Sequence, residues 1–213
     1  MADIYAFPLG ASTDVRAAGG NDGGTRAAAG ASRHRSEWPM ARPYDVPDVV
    51  WDAVLSVERM PRVSGVAYRE IPVPADMASF GIGVELMRVD DAGDALAAFG
   101  WIMVLYSREY REDWRSRWRC VAFASMPAPD ADGTRPAPAE YWTAMVERLD
   151  AKVSEDISGT VTIAQNTAFG GESDVPRASC ELRVSWTPLD YADGGLDAGS
   201  QVDAWARFLR HMT

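Results

Sequence analysis

Residues 107–119 carry the densest run of chemistry-bearing side chains: Arg108, Tyr110, Arg111, Trp114, Arg115, Arg117, Trp118 and Arg119. Cations interleaved with aromatic rings can hold single-stranded nucleic acid, the rings stacking on bases while the guanidiniums track the backbone. Ordinary surface arginines on a hairpin loop give the same pattern, because Glu109, Glu112 and Asp113 are interspersed and all of the 21 basic residues except Lys152 are arginine. A second run, Phe169-Gly170-Gly171-Glu172-Ser173-Asp174, could cradle an anion through backbone N–H groups. A turn whose glycines adopt positive φ needs no ligand. Glu70, Glu85, Glu172, Asp174 and Glu181 are the acids available for general acid–base work. Which of them pair in space is set by the fold and is not read from the linear sequence.

The absent chemistry is more decisive. The two histidines are His34, in an N-terminal tail, and His211, two residues from the end. A histidine relay inside a folded domain is therefore excluded as an expectation. The chain has no Cys-x-x-Cys, no His-Glu-x-x-His and too few Cys and His for a structural zinc site. It has no Gly-x-x-x-x-Gly-Lys-Ser/Thr phosphate loop. Phe80-Gly81-Ile82-Gly83 offers Gly-x-Gly without the third glycine or the following helix that a dinucleotide fold requires. No calcium-loop pattern occurs in the acidic stretches. No metal, no cofactor and no catalytic residue is expected.

Charge and hydropathy narrow the partners. The formal net charge of −10 repels DNA and an anionic membrane surface, and leaves RNA only through a local basic patch. No stretch reaches the ~18 apolar residues of a membrane span. The N-terminus lacks the basic start and apolar core of a secretory signal. The expected location is the cytoplasm. Cys120 and Cys180 fall inside predicted strands, where a reducing compartment leaves both as buried thiols.

The elements that must position these groups begin after residue 45. Residues 1–45 hold Gly/Ala-rich runs without apolar periodicity and are expected to be a disordered Gly/Ala/Arg-rich tail. The tail carries five acids and five arginines, so the net charge belongs to the expected single domain, 46–213. Pro47 and the spacing of Val50, Trp51, Val54 and Leu55 predict a first helix, stopped by Pro61. Extended pieces are predicted over 66–72 and 80–89, then a turn over 90–94. A strand over 96–106 reads as buried on both faces, and a charged loop, 107–117, precedes a strand over 118–125. Trp142, Met145, Val146 and Leu149 place a second helix at 138–152. Strands follow at 159–168 and 178–187, the latter alternating apolar Cys180, Leu182, Val184 and Trp186 with polar residues. Ser200, with Asp203 in the capping-box position, is predicted to cap a last helix. The order α-β-β-β-β-α-β-β-α lacks βαβ alternation. It predicts an α+β single domain, a mainly antiparallel sheet of about six strands with three helices packed on it.

Several local patterns then resemble one family: Trp114 with Trp118-Arg119-Cys120-Val121, Ser158-Gly159-Thr160-Val161-Thr162, Phe169-Gly170-Gly171, Ser185-Trp186-Thr187-Pro188 and Val202-Asp203-Ala204-Trp205. Met60-Pro61-Arg62 and Glu70-Ile71-Pro72-Val73-Pro74 fit its first half. Residues 47–210 resemble the domain of unknown function 3000 family, which occurs in high-GC Gram-positive (actinobacterial) hosts and matches the arginine bias. The family implies no catalytic residues. Ser116-Arg117-Trp118 departs from the short glycine-containing turn usual before its Phe-Arg-Cys-Val. Arg119, Trp114, Gly170, Gly171 and Trp186 are the residues expected to contact a ligand or partner. The leading expectation is a non-catalytic binding or protein-interaction module. The alternatives are a small-ligand or nucleotide enzyme using carboxylate and arginine chemistry, and a single-stranded RNA-associated protein.

Overall fold

The computed structural model describes residues 42–90, 93, 95–128, 136–149, 153–166 and 177–212. Most of the expected tail, Gly170 and Gly171, and most of the 90–94 turn and the 127–138 loop lie outside them. The elements in chain order are α1 (Asp48–Arg59), β1 (Val66–Glu70), β2 (Phe80–Val89), β3 (Ala95–Arg111), β4 (Ser116–Pro127), α2 (Pro138–Leu149), β5 (Val153–Asn166), β6 (Arg177–Pro188) and α3 (Ala198–His211). The expected α+β architecture and its element order are what is found.

Local chemistry sets the helix ends. Pro47 precedes the first helical residue, and Asp48 and Arg59 complement the dipole of α1 at its two ends. Met60 leaves the helix in an extended conformation, as a residue before proline must. The start of α3 corrects the expected cap. Asp197, not Ser200, is the N-cap, and its carboxylate accepts from the Ser200 amide at 2.9 Å. Asp203 is drawn instead to Arg207 one turn on, at 2.7 Å. The early start lets Gly199 sit against α1, where a Cβ would lie 2.3 Å from the Ser56 carbonyl oxygen.

The predicted charged loop at 107–117 is also corrected. β3 runs through to Arg111 and β4 begins at Ser116, leaving a short turn in which Arg115 takes φ 51°. Arg111 stabilises that turn by a paired contact to Asp113 at 3.0 and 2.8 Å. Alternation of exposed charge along the protruding hairpin looked like a loop because neither face there needs to be apolar.

The six strands form one sheet, β1-β2-β3-β4-β6-β5, with every neighbouring pair antiparallel. The register places Phe80, Ile82, Val84 and Leu86 of β2 in line with Tyr106, Val104 and Ile102 of β3, then Trp118, Cys120, Ala122 and Ala124 of β4, and Trp186, Val184 and Leu182 of β6. These residues are buried and join α1, α2 and α3 in the main core. α3 packs on β2, β3 and β4, α2 on β5, and α1 on α3. Trp118, Trp186 and Trp205 are each at most 1% exposed. Their indole N–H groups donate to Gly194 O, Gln201 Oε1 and Phe123 O, so the core buries large rings without orphaned donors. No helix among the described residues is long and apolar enough to cross a membrane.

The opposite face of the sheet is covered only in part. Residues 71–79 cross β2, and Gly81 and Gly83 permit it: a Cβ on Gly83 would stand 2.4 Å from the Ile71 carbonyl oxygen, and one on Gly81 2.7 Å from Val73 Cγ1. The Ile71 amide donates to Gly83 O at 3.0 Å. Val73, Met103, Leu105 and Trp114 form a second, small core under this strap. The Gly-x-Gly pair is thus a close-packing device inside a strand.

Candidate functional site

Beyond the strap the second face is open. The register sets Phe99 and Trp101 of β3 beside Ser125 and Phe123 of β4, and Phe123 beside Arg183 of β6. Phe99 is 43% exposed, while Trp101 and Phe123 are half-buried. Phe123 lies 5.9 Å from the ring centroids of both neighbours, tilted against Phe99 and stacked at 24° on Trp101. Arg183 caps the stripe, its guanidinium carbon 5.4 Å from the Phe123 centroid. Towards the β5 edge the same face turns polar, with Ser185, Ser158, Thr160 and Thr162 in line. At the strap end of the stripe Trp101 packs against the small core, while Phe99 is the most exposed of the three rings.

The charges around it are matched. Arg69 binds Glu85 through two contacts of 2.7 and 2.9 Å, and that carboxylate raises the guanidinium's pKa. Arg183 pairs with Glu181 at 2.9 Å. The surface therefore presents aromatic area with a nearly neutral polar rim.

The residues expected to contact a ligand do not assemble into one site. Trp186 lies on the helix face, fully buried and 5.9 Å from Trp205. Trp114 is folded into the small core on the other face, with Arg111 stacked 4.5 Å over its ring. Gly170 and Gly171 lie outside the described residues. Arg119 is 8% exposed and its bonds are internal: Nε donates to Ser185 Oγ at 2.6 Å, and Nη1 to Asp156 Oδ2 at 2.6 Å and Thr187 Oγ1 at 2.9 Å. The Thr187 hydroxyl in turn donates to the Trp114 carbonyl at 2.6 Å. Arg119 is the centre of a buried polar knot tying β4, β5, β6 and the hairpin turn.

The 107–119 segment loses its stacking platform in the same way. Trp118 enters the main core against Tyr106, with centroids 4.7 Å apart, and only Tyr110 of its aromatics stands exposed. A polar pocket of about 480 Å³ lies beside Arg108 and Arg111. Arg111 is held by Asp113, while Arg108 stacks over Phe80 and donates to the Asp45 carbonyl.

The candidate acids are likewise dispersed. Glu85 is on β2 and Glu181 on β6, three strand spacings or about 14 Å apart. Glu70 is on β1, and Glu172 and Asp174 lie outside the described residues. Among the described residues no group of three His, Cys, Asp or Glu could hold a metal ion. A groove of about 620 Å³ between α1, α3 and the 191–197 loop gathers different acids, Asp52, Asp193, Asp197 and Asp203. Asp197 caps α3, Asp193 accepts from the Gly195 amide, and Asp203 holds Arg207.

Both cysteines are free and buried on the helix face. Burial raises both thiol pKa values, that of Cys180 up to about 11, so neither is a thiolate nucleophile at neutral pH.

Sequence reasoning passed over Phe99, Trp101 and Phe123 as buried strand residues. The signal lay in their neighbours. Ala98, Gly100, Ala122 and Ala124 alternate with them, and those small residues are the ones that face the helices. No curated protein and no solved structure matches the chain. Residues 46–213 match the family described as "Protein of unknown function (DUF3000)", and the chain belongs to that family.

Proposed function

We propose that this chain is a non-catalytic binding module, that its working surface is the open sheet face centred on Phe99, Trp101 and Phe123, and that its partner is a protein. The observation that carries this reading is the half-exposed aromatic stripe. Its rings are held in fixed mutual geometry on a rigid sheet, the arrangement that concentrates binding energy in a few aromatic anchors. Matched charges around the stripe favour a protein partner over a polyanion. The internal engagement of Arg119 and the burial of Trp186 weigh against a shared catalytic pocket.

The test is affinity capture with tagged full-length protein from gently lysed native-host cells, comparing wild type with Phe99→Arg and Tyr191→Ala. One protein should be retained stoichiometrically by wild type and by the Tyr191 variant, and lost from Phe99→Arg. Retention by Phe99→Arg, or recovery of nothing, counts against the reading.

One observation favours the enzyme reading. The α1–α3 groove is lined in part by Asp203, whose Oδ1 is buried without a hydrogen-bond partner. A ligand donor could satisfy it. On this reading a small-molecule library should contain a compound that raises the melting temperature of wild type and not of Asp203→Asn.

A further inference from the structure

The two edges of the sheet are unequal. β1 is a 5-residue edge strand bearing Arg69 and Glu70, the short, charged form that discourages further pairing. β5, at the other edge, has 14 residues. After the irregularity between Val153 and Ile157 it runs in unbroken register with β6 from Ile157 to Asn166. That stretch, Ile157-Ser158-Gly159-Thr160-Val161-Thr162-Ile163-Ala164-Gln165-Asn166, contains no charge and no proline. Its outer edge has no strand partner among the described residues. A long, regular, uncharged edge is a template for another strand.

We propose that β5 pairs antiparallel with β5 of a second copy of this chain, with Val161 on the two-fold axis. The sequence around Val161 is complementary to itself under that operation. On the open face, Thr160 of each copy meets Thr162 of the other, a favourable cross-strand pair. On the helix face, Val161 meets Val161, and Ile163 meets Gly159, over which the Trp142 ring of that same chain packs. Val161 and Ile163 are half-buried against the core of their own chain, and the second copy covers what remains exposed. No like charges oppose each other in the regular stretch. The interface is isologous and closes on itself, so pairing stops at the dimer. It joins two six-stranded sheets into one of twelve. The axis is normal to the sheet, so both open faces point the same way, with the two β4 strands about 24 Å apart.

The test is sedimentation velocity of the full-length chain from 1 to 200 µM, for wild type and two double variants at the exposed positions 160 and 162. T160K/T162K places lysine opposite lysine twice across the axis. T160K/T162E places lysine opposite glutamate twice. Wild type and T160K/T162E should sediment at twice the 23.2 kDa chain mass, and T160K/T162K at the chain mass. The lysine–glutamate variant also reports whether the two positions tolerate charge without unfolding. A monomeric wild type overturns the proposal, as does a T160K/T162K variant that stays dimeric or a T160K/T162E variant that dissociates. None of these outcomes depends on the partner proposed for the open face.

Discussion

At the scale of single residues, the conspicuous polar and aromatic groups build the fold. Arg119 draws attention as the end of the arginine/aromatic run, but its neighbours cannot be read from the chain, because Asp156, Ser185 and Thr187 reach it only through strand pairing. Arg119→Ala should lower unfolding free energy by about 2–3 kcal/mol in urea titrations, since it strands a carboxylate that is one-third exposed and the Ser185 hydroxyl. Partner capture by the folded variant should be unchanged; lost capture with unchanged stability would make Arg119 a contact residue instead. The thiols give a pH signature. Both are neutral when folded, with pKa values raised above the ordinary 9.0, whereas the unfolded chain ionises them above about pH 9. The folded state then binds more protons, so stability falls as pH rises. The loss is about 1.4 kcal/mol per pH unit per thiol, ending near pH 11 for Cys180. Replacing both cysteines with alanine should flatten the stability profile between pH 9 and 10.5; an unchanged slope would contradict their burial.

At the scale of elements, the sequence was most legible where one face is apolar and the other wet. β6 alternates cleanly and was placed within a residue at each end. β3 was misread twice. Its charged end looked like loop, and its apolar run looked buried on both faces, which holds around Ile102–Leu105 but not at Phe99. Large rings alternating with Ala and Gly mark a face that packs closely against helices and a face that carries its bulk outward. The strap over β2 was invisible for a related reason. Gly81 and Gly83 fall inside a predicted extended piece, and only the fold shows the backbone crossing them. Gly83→Ala should cost about 2 kcal/mol through that contact. It should also raise hydrogen exchange at the Ile71 amide, which donates across it. Tolerance of alanine with unchanged exchange would mean the strap is not seated as described.

At the scale of the whole molecule, element order and the missing βαβ alternation sufficed to fix the class of fold, because antiparallel hairpins and one-sided helices leave few other arrangements. The candidate site was not legible, because it belongs to no motif. It is produced by registering β3, β4 and β6 side by side and by placing all three helices on the other face. The net charge of −10 describes the molecule but not this surface, where Arg69, Arg183 and Arg119 each face a carboxylate. The most direct measurement is site-specific photo-crosslinking in native-host cells, with a benzophenone analogue of phenylalanine at position 99 and, separately, at positions 110 and 191. All three residues are exposed, and only the first belongs to the aromatic stripe. The account predicts one dominant protein adduct from position 99 and none of comparable yield from 110 or 191. Absence of an adduct at 99, or equal adducts from all three positions, would contradict it.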